Sequence, residues 1–314
     1  MRPLEILMQQ KQERTPHHMD TKKCEACLMA ASLGSFTAAA DELGYTQSGI
    51  TRMIRSLEDE FGFSLFIRGK NGIKLSANGE MLLPALRDIV QADSRAKELC
   101  GDIRGIVTGN LTIGSYYSVS AIWMPELLAR FKKEYPGIRI RMHEGGNREM
   151  AVWLNEHSVD LCFCAKPDKD TVCDWIPVYD DPLTAWLPEN DPSAGEETFP
   201  IKELQNRPFI HTSPNQDTDQ DRLIKDFHLD MDTRYTTRDA FTTYNMVEAG
   251  LGISFNQKMI SRRWQGRVVE LPLAPSCFVE LGLAVPSLKT ASPAAGKFIQ
   301  CVQKWMQKSL ELHP

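Results

Sequence analysis

The chain has 314 residues, of which 42% are hydrophobic and 25% charged, with a formal net charge of −5 and eight cysteines. That length holds two or three domains with sizeable cores, and the acidic balance excludes a protein that is basic throughout and coats nucleic acid by charge alone. No run of about 18 apolar residues occurs, which excludes a membrane-spanning helix, and no secretory signal is visible, so a cytoplasmic chain with reduced cysteines is expected.

Residues 1–18 are polar and read as a disordered or extraneous N-terminal extension. Three short helices are expected next. Cys24, Cys27, Leu28 and Ala31 give the first an apolar face. The second starts at Ser35, carries Ala39, Ala40 and Leu43 for close packing, and stops at Gly44, where a left-handed turn suits glycine. Thr46 caps the third, which runs from Gln47 to Glu60. Its Ile50, Met53, Ile54 and Leu57 repeat at helical spacing as a buried face, while Ser48, Thr51, Arg52 and Arg55 form a second, polar face. Hydroxyls and guanidinium forks in that pattern suit phosphates and guanine edges. Two short apolar runs around a Gly- and Asn-rich turn then predict a β-hairpin wing over Phe61–Leu75, with Arg68, Lys70 and Lys74 near its tip. Residues 19–76 carry seven positive and seven negative groups, but five of the positives fall on the third helix and the wing. Cys24-x-x-Cys27 has half of a zinc-site spacing and no second ligand pair, so no metal is expected.

The stretch from Met19 to Leu99 resembles the N-terminal region of LysR-type transcriptional regulators. The pieces that carry the likeness are Gly34-Ser35-Phe36-Thr37-Ala38-Ala39-Ala40, Thr46-Gln47-Ser48, Leu57-Glu58, Leu65-Phe66-Ile67-Arg68 and Leu75-Ser76-Ala77-Asn78-Gly79-Glu80. Cys24, Cys27 and Gly49 depart from the usual residues. The resemblance implies an all-α winged helix-turn-helix DNA-binding domain over residues 19–76. Its DNA contacts would be Ser35, Thr37, Thr46, Gln47, Ser48, Thr51, Arg52, Arg55, Arg68, Lys70 and Lys74.

Residues 77–100 read as one long linker helix. Leu82, Leu86, Ile89 and Ala96 form a seam, with Leu83 and Val90 alongside, and Pro84 lies in its early turns. A stripe this long predicts pairing with a second copy, as homodimer or homotetramer, which suits an imperfect palindrome with half-sites about one helical turn apart or a multiple. Glycines mark residues 101–109 as a hinge. The remainder, 110–314, alternates strands and helices: Leu111–Gly114, a helix over 121–135, Ile138–Met142, a helix over 149–157, and Asp160–Cys164. This order predicts a mostly parallel sheet covered by helices. Extended runs over 178–187 and 279–285 can cross between two lobes, lobe I at about 110–181 and 284–314 and lobe II at about 182–283. The family likeness is looser here, clearest at Tyr244–Ile253, and implies an α/β, two-lobed, Rossmann-like regulatory domain similar to periplasmic binding proteins, with a small effector in the cleft.

Ligands of open α/β sheets sit beyond the carboxyl ends of the strands. That rule places Ser115, Tyr116 and Ser118 on one wall with Asn147, and Thr212, Ser213, Thr243 and Asn256 on the other. Ser118, Asn147 and Thr212 or Ser213 also fall where family members contact effectors. Helix N-termini with hydroxyl and amide groups lean toward a small carboxylate or phenol. No nucleophile elbow, phosphate-binding loop or dinucleotide fingerprint is present and the histidines are scattered, so no enzyme and no cofactor is expected. The reading is a sequence-specific DNA-binding regulator switched by a small molecule, with promoter DNA as partner and RNA polymerase also if it activates. Two alternatives are a solute-binding module without a transcriptional role and a redox-sensing regulator using Cys164 and Cys173.

Overall fold

The computed structural model describes residues 19–69 and 72–312, with side chains to 307. The expected N-terminal extension and Lys70 lie outside the described residues. The chain divides into two compact units, to Lys97 and from Glu98.

The first unit opens with α1 (Thr21–Leu33), α2 (Phe36–Leu43) and α3 (Gln47–Phe61). Each has a polar N-cap, in order Asp20, Ser35 and Thr46, whose side chain accepts from the backbone amide three residues on. Each ends on a left-handed glycine, Gly34, Gly44 or Gly62, at φ 62°, 69° and 79°. Caps and stops of this kind fix helix ends to the residue. Cys24, Cys27, Ala39, Ala40, Ile50, Ile54 and Leu57 fill one shared core. Small side chains there let three short helices pack closely.

The wing is β1 (Phe66–Gly69) paired antiparallel with β2 (Gly72–Leu75). It is shorter than the sequence suggested, because Phe61 finishes α3. Glu58 Oε1 accepts from Leu65 and Phe66 N at 2.7 and 3.2 Å, and Ile73 N donates to Gly34 O at 3.0 Å, so both strands are tied to the helices. Ser76 then starts α4 (Ala77–Ile103): its hydroxyl donates to Ser64 O at 2.7 Å and accepts from Gly79 N at 3.0 Å. Leu86 is 1% exposed in the core of the first unit, with Leu82, Ile89 and Val90 packed on it. These residues were expected to need a second copy. Within the unit they are only partly covered: Leu82, Ile89 and Val90 stay half-buried and Ala96 is exposed.

In the second unit, Glu98 on the last turns of α4 accepts from Asn110 N at 3.3 Å and Ala294 N at 3.4 Å, and Asp102 pairs with Lys297 at 3.1 Å. Arg104 N and Ile106 N both donate to Gly101 O. The segment expected as a hinge is thus a hydrogen-bonded turn: Gly101 is still helical and Gly105 supplies the left-handed residue, at φ 72°.

Lobe I follows as β3 (Gly109–Ser115), α5 (Tyr117–Ile122), α6 (Met124–Glu134), β4 (Ile138–Glu144), α7 (Asn147–Asn155) and β5 (Leu161–Ala165). The helix expected over 121–135 is two helices, broken at Trp123, with Pro125 in the first turn of the second, where its missing N–H costs little. β4, β3 and β5 pair in parallel. Every residue of β5 is buried, as a strand covered on both faces requires.

β6 (Asp174–Pro188) crosses into lobe II, which holds β7 (Phe199–Pro200), β8 (Phe209–Thr212), α8 (Asp219–Asp226), β9 (Thr233–Thr237), α9 (Ala240–Glu248), β10 (Ser254–Gln257), α10 (Lys258–Ser261) and β11 (Val268–Ala274). β12 (Phe278–Val285) crosses back and pairs antiparallel with β5 and β6, so the return begins before residue 284. α11 (Pro293–Leu312) closes lobe I. The mostly parallel sheet expected holds for β3, β4 and β5, for β8 with β9 and for β7 with β11, while β6 pairs antiparallel with β10, β11 and β12.

Candidate nucleic-acid interface and ligand cleft

The two ends of α3 set what its middle can present. Thr46 Oγ1 accepts from Gly49 N at 3.1 Å and lies 3.2 Å from Ser48 Oγ, while Gln47 Nε2 donates to Thr51 Oγ1 at 3.1 Å. Ile50, Ile54 and Leu57 are at most 2% exposed. With that face locked inward, Ser48, Arg52 and Arg55 stand exposed on the opposite side with Thr46 and Gln47. Thr51 is half-buried and its hydroxyl serves Gln47, so it is the weakest member of the expected row. Ser35 is half-buried and its hydroxyl is used as a cap for Ala38 N at 3.3 Å, whereas Thr37 is exposed beside it.

On the wing, Lys74 is exposed opposite Ile67. The Arg68 guanidinium lies 5.6 Å over the Phe36 ring, and Phe36 meets Phe66 edge-on at 5.4 Å. A cation held over an aromatic face keeps its charge and loses freedom, so Arg68 stands preset beside the start of α2. Cys24 and Cys27 are inside the core, and burial pushes the Cys27 thiol up to about 12. Among the described residues no group of three or more His, Cys, Asp or Glu is arranged to hold a metal ion.

The second unit contains a cavity of about 1280 Å³ between its lobes. Tyr116, Ser118, Asn147, Thr212, Ser213 and Asn256 line it. Two expected residues do not. Ser115 is fully buried and its hydroxyl donates to Tyr116 O at 3.2 Å. Thr243 is fully buried behind the wall, 2.7 Å from Thr212 Oγ1 and 2.6 Å from Thr237 Oγ1. Alternation along a strand and phase on a helix send these side chains inward, a one-residue difference that the pattern of hydroxyls did not resolve.

Side-chain contacts join the lobes. Ser118 Oγ donates to Gln257 Oε1 at 2.8 Å, Asn147 Nδ2 donates to Asp217 O, and Arg222 pairs with Asp168 at 3.3 Å. Gln257 continues the first chain, its Nε2 donating to Asp219 Oδ2 at 2.8 Å. Gln220 braces the wall, accepting from Thr212 N at 2.8 Å and donating to Phe255 O at 2.5 Å. Asp219, Gln220 and Gln257 were not anticipated from the sequence. The capping pattern Thr218-Asp219-Gln220-Asp221 was a usable signal for a helix start at the cleft.

The charges at the cavity bear on the carboxylate, one of the two effector classes expected beside a phenol. Burial raises the Asp219 carboxyl to about 6, with Arg222 pulling the other way. Of the charged residues that line the cavity, among those described, Glu144, Glu149, Asp219 and Asp239 are acidic and Arg238 is basic. Glu149 accepts from Gly146 N at 3.1 Å and Asp239 from Thr242 N at 2.8 Å. The helix N-termini that favoured a carboxylate ligand are thus already faced by carboxylates of the chain.

Of the two cysteines in the redox-sensing alternative, Cys164 is buried and Cys173 half-buried. Cys164 is 1% exposed; its thiol is raised well above the usual range by hydrogen bonding to Cys162 and by burial. Burial also raises Cys173. A protonated, enclosed thiol is a poor nucleophile.

Comparison with known proteins agrees with this division. Residues 21–80 match the family described as bacterial regulatory helix-turn-helix protein, lysR family, and residues 104–307 match the LysR substrate binding domain. The chain is 27% identical over 277 residues to the HTH-type transcriptional regulator YvbU of Bacillus subtilis, covering 87% of this chain and 94% of that one. A full-length OxyR variant from Pseudomonas aeruginosa has the same fold, with a TM-score of 0.74 at 20% identity, over 93% of this chain and 95% of that one. CbnR in complex with its target DNA superposes with a TM-score of 0.61 at 17% identity, over 91% and 99%.

Proposed function

The chain belongs to the LysR family of DNA-binding transcriptional regulators with an effector-binding domain, and from that premise we propose which of its residues do the work. Ser48, Arg52 and Arg55 read base edges from one exposed face of α3, with Thr46 and Gln47 at its start. Thr37, Arg68 and Lys74 hold phosphates on either side. The observation that carries this assignment is the division of α3 into a face buried to 2% or less and an opposite face of exposed hydroxyl and guanidinium groups. Base contacts specify and phosphate contacts position.

The cavity between the lobes takes a small organic effector. Closure around it acts on the end of α4 held by Glu98 and Asp102, and so on the spacing of two DNA-binding units in a homo-oligomer. A ligand shifts such an equilibrium only by its difference in affinity between the two states. The site of action is the cytoplasm, with RNA polymerase as a further partner if the protein activates. Among the described residues no helix is long and apolar enough to cross a membrane.

Mobility-shift titration on the DNA flanking the gene tests the DNA assignment. Arg52→Ala is expected to weaken binding about five- to 150-fold and Ser48→Ala to weaken it less, both with unchanged thermal unfolding, since one bidentate base contact is worth about 1–3 kcal/mol. Lys74→Ala is expected to weaken binding to all sequences alike and to lower the slope of log affinity against log salt by about one. Wild-type footprints from both α3 variants would remove α3 as the reading element.

A further inference from the structure

The charge and the unsatisfied hydroxyls of the cavity say more about its occupant than its size does. Resting on the reading of the cavity as the effector site, we propose that the effector carries a cationic nitrogen, an ammonium group bound between Asp219, Tyr116 and Ser120 with its apolar body against the aromatic wall of lobe II.

Four observations converge. First, Tyr116 is 7% exposed, lines the cavity, and its hydroxyl has no hydrogen-bond partner among the described residues. A buried phenol without a partner costs free energy that a bound donor or acceptor recovers. Second, Ser120, on α5 just after Tyr116, also lines the cavity, and its Oγ is buried without a partner among the described residues. Third, Asp219 lies close enough to Tyr116 that its charge, after burial, is the largest influence on the phenol, which is raised well above its ordinary range and stays protonated. The phenol oxygen is then free to accept from an ammonium, as is Ser120 Oγ, and the Asp219 carboxylate supplies the countercharge. Gln257 Nε2 takes one lobe of that carboxylate and orients it. Fourth, the other charges facing the cavity are Glu144, Glu149 and Asp239 against Arg238, so the field attracts a cation and repels a carboxylate.

The remainder of the wall suits an apolar body. Phe241 and Trp264 line the cavity with ring centres 5.2 Å apart, and Trp264 packs edge-on against Tyr244 at 5.2 Å. Arg222 pairs with Asp217 at 2.6 Å and Asp168 at 3.3 Å, so its charge, which also lowers Asp219, is shared among three carboxylates.

The test is isothermal titration of the full-length protein with small compounds in matched sets, an amine, a neutral alcohol and a carboxylate on one carbon skeleton. The first set is 2-phenylethylamine, 2-phenylethanol and 3-phenylpropionate. The amines are expected to bind at least tenfold more tightly than either counterpart. Asp219→Asn keeps an acceptor for Gln257 and is expected to remove that preference. Tyr116→Phe deletes only the hydroxyl and is expected to weaken the amines several-fold. Equal or tighter binding of the carboxylates or alcohols, or amine binding unchanged in Asp219→Asn, overturns the proposal and leaves the cavity as an effector site of another class. Binding of none of the three classes overturns the proposal together with the effector-site reading. Variants that unfold early are replaced by Ser120→Ala, which is expected to weaken the amines and leave the carboxylates alone; no change there overturns the proposal as well.

Discussion

Asp181 is 1% exposed inside β6, where the strand passes from its pairing with β12 to its pairing with β10. Its two carboxyl oxygens lie 3.2 and 3.4 Å from Met259 N, an amide that partly offsets burial. Burial, helped by the charge of Asp219, pushes it up to about 7 from an ordinary value of 3.8, with Lys258 opposing. A carboxyl raised in the folded state contributes stability that is complete below about pH 4 and is lost as pH rises through about 7. Asp181→Asn keeps an acceptor for Met259 and has no charge to bury. Its melting temperature is expected to match or fall below wild type at pH 5 and to exceed it by roughly 5 °C at pH 8. Parallel pH profiles for the two proteins, measured by differential scanning calorimetry, would show that Asp181 ionises without cost. Sequence alone did not reveal this residue. Tyr179-Asp180-Asp181-Pro182 falls in the run expected to cross between lobes, and only that crossing encloses Asp181.

Among the elements, the three short helices and the polar face of α3 were readable, because caps, left-handed glycines and 3.6-residue spacing are local signals. Thr46, Gly44 and the series Ile50, Ile54 and Leu57 fell where local rules put them. The packing of α4 was not readable, since an apolar stripe does not say whether its cover is the same chain or another. Leu86 found its cover in the first unit. Gly79 marks that junction: a side chain there would run into the Leu65 carbonyl oxygen and come within 3.1 Å of the Leu75 side chain. Gly44 has open space around it but a left-handed backbone. Gly79→Ala is therefore expected to cost about 1–3 kcal/mol by overpacking, and Gly44→Ala about 1–2 kcal/mol by backbone strain. Chemical denaturation checks the ordering. Gly79→Ala, which displaces the wing strand that carries Arg68, should also weaken operator binding more than Gly44→Ala does. A wild-type affinity for Gly79→Ala would mean that the wing position is immaterial.

At the scale of the whole molecule, the division of labour was visible in the order of motifs, and the partners of the cleft residues were not. Ser118 and Gln257 are 139 positions apart, and Asn147 and Asp217 are 70 apart. Pairs so distant become predictable only once β6 and β12 have brought the lobes together. The Ser118 and Asn147 side chains, anticipated as ligand contacts, line the cavity and also bond between the lobes. Removing one such hydrogen bond costs about 1 kcal/mol, which moves a two-state equilibrium about fivefold. Ser118→Ala is thus expected to populate a more open cleft. In the full-length chain, amide exchange at the start of α8 and around Asn147 should quicken about fivefold, and the amount of effector needed for half-maximal response should shift by a similar factor. Arg52→Ala should change neither, because the reading face of α3 belongs to a separately packed unit. If exchange at α8 stays at the wild-type rate in Ser118→Ala, the Ser118–Gln257 bond does not hold the lobes, and closure must be governed by the Arg222–Asp168 pair, whose own variant Arg222→Ala would then show the faster exchange.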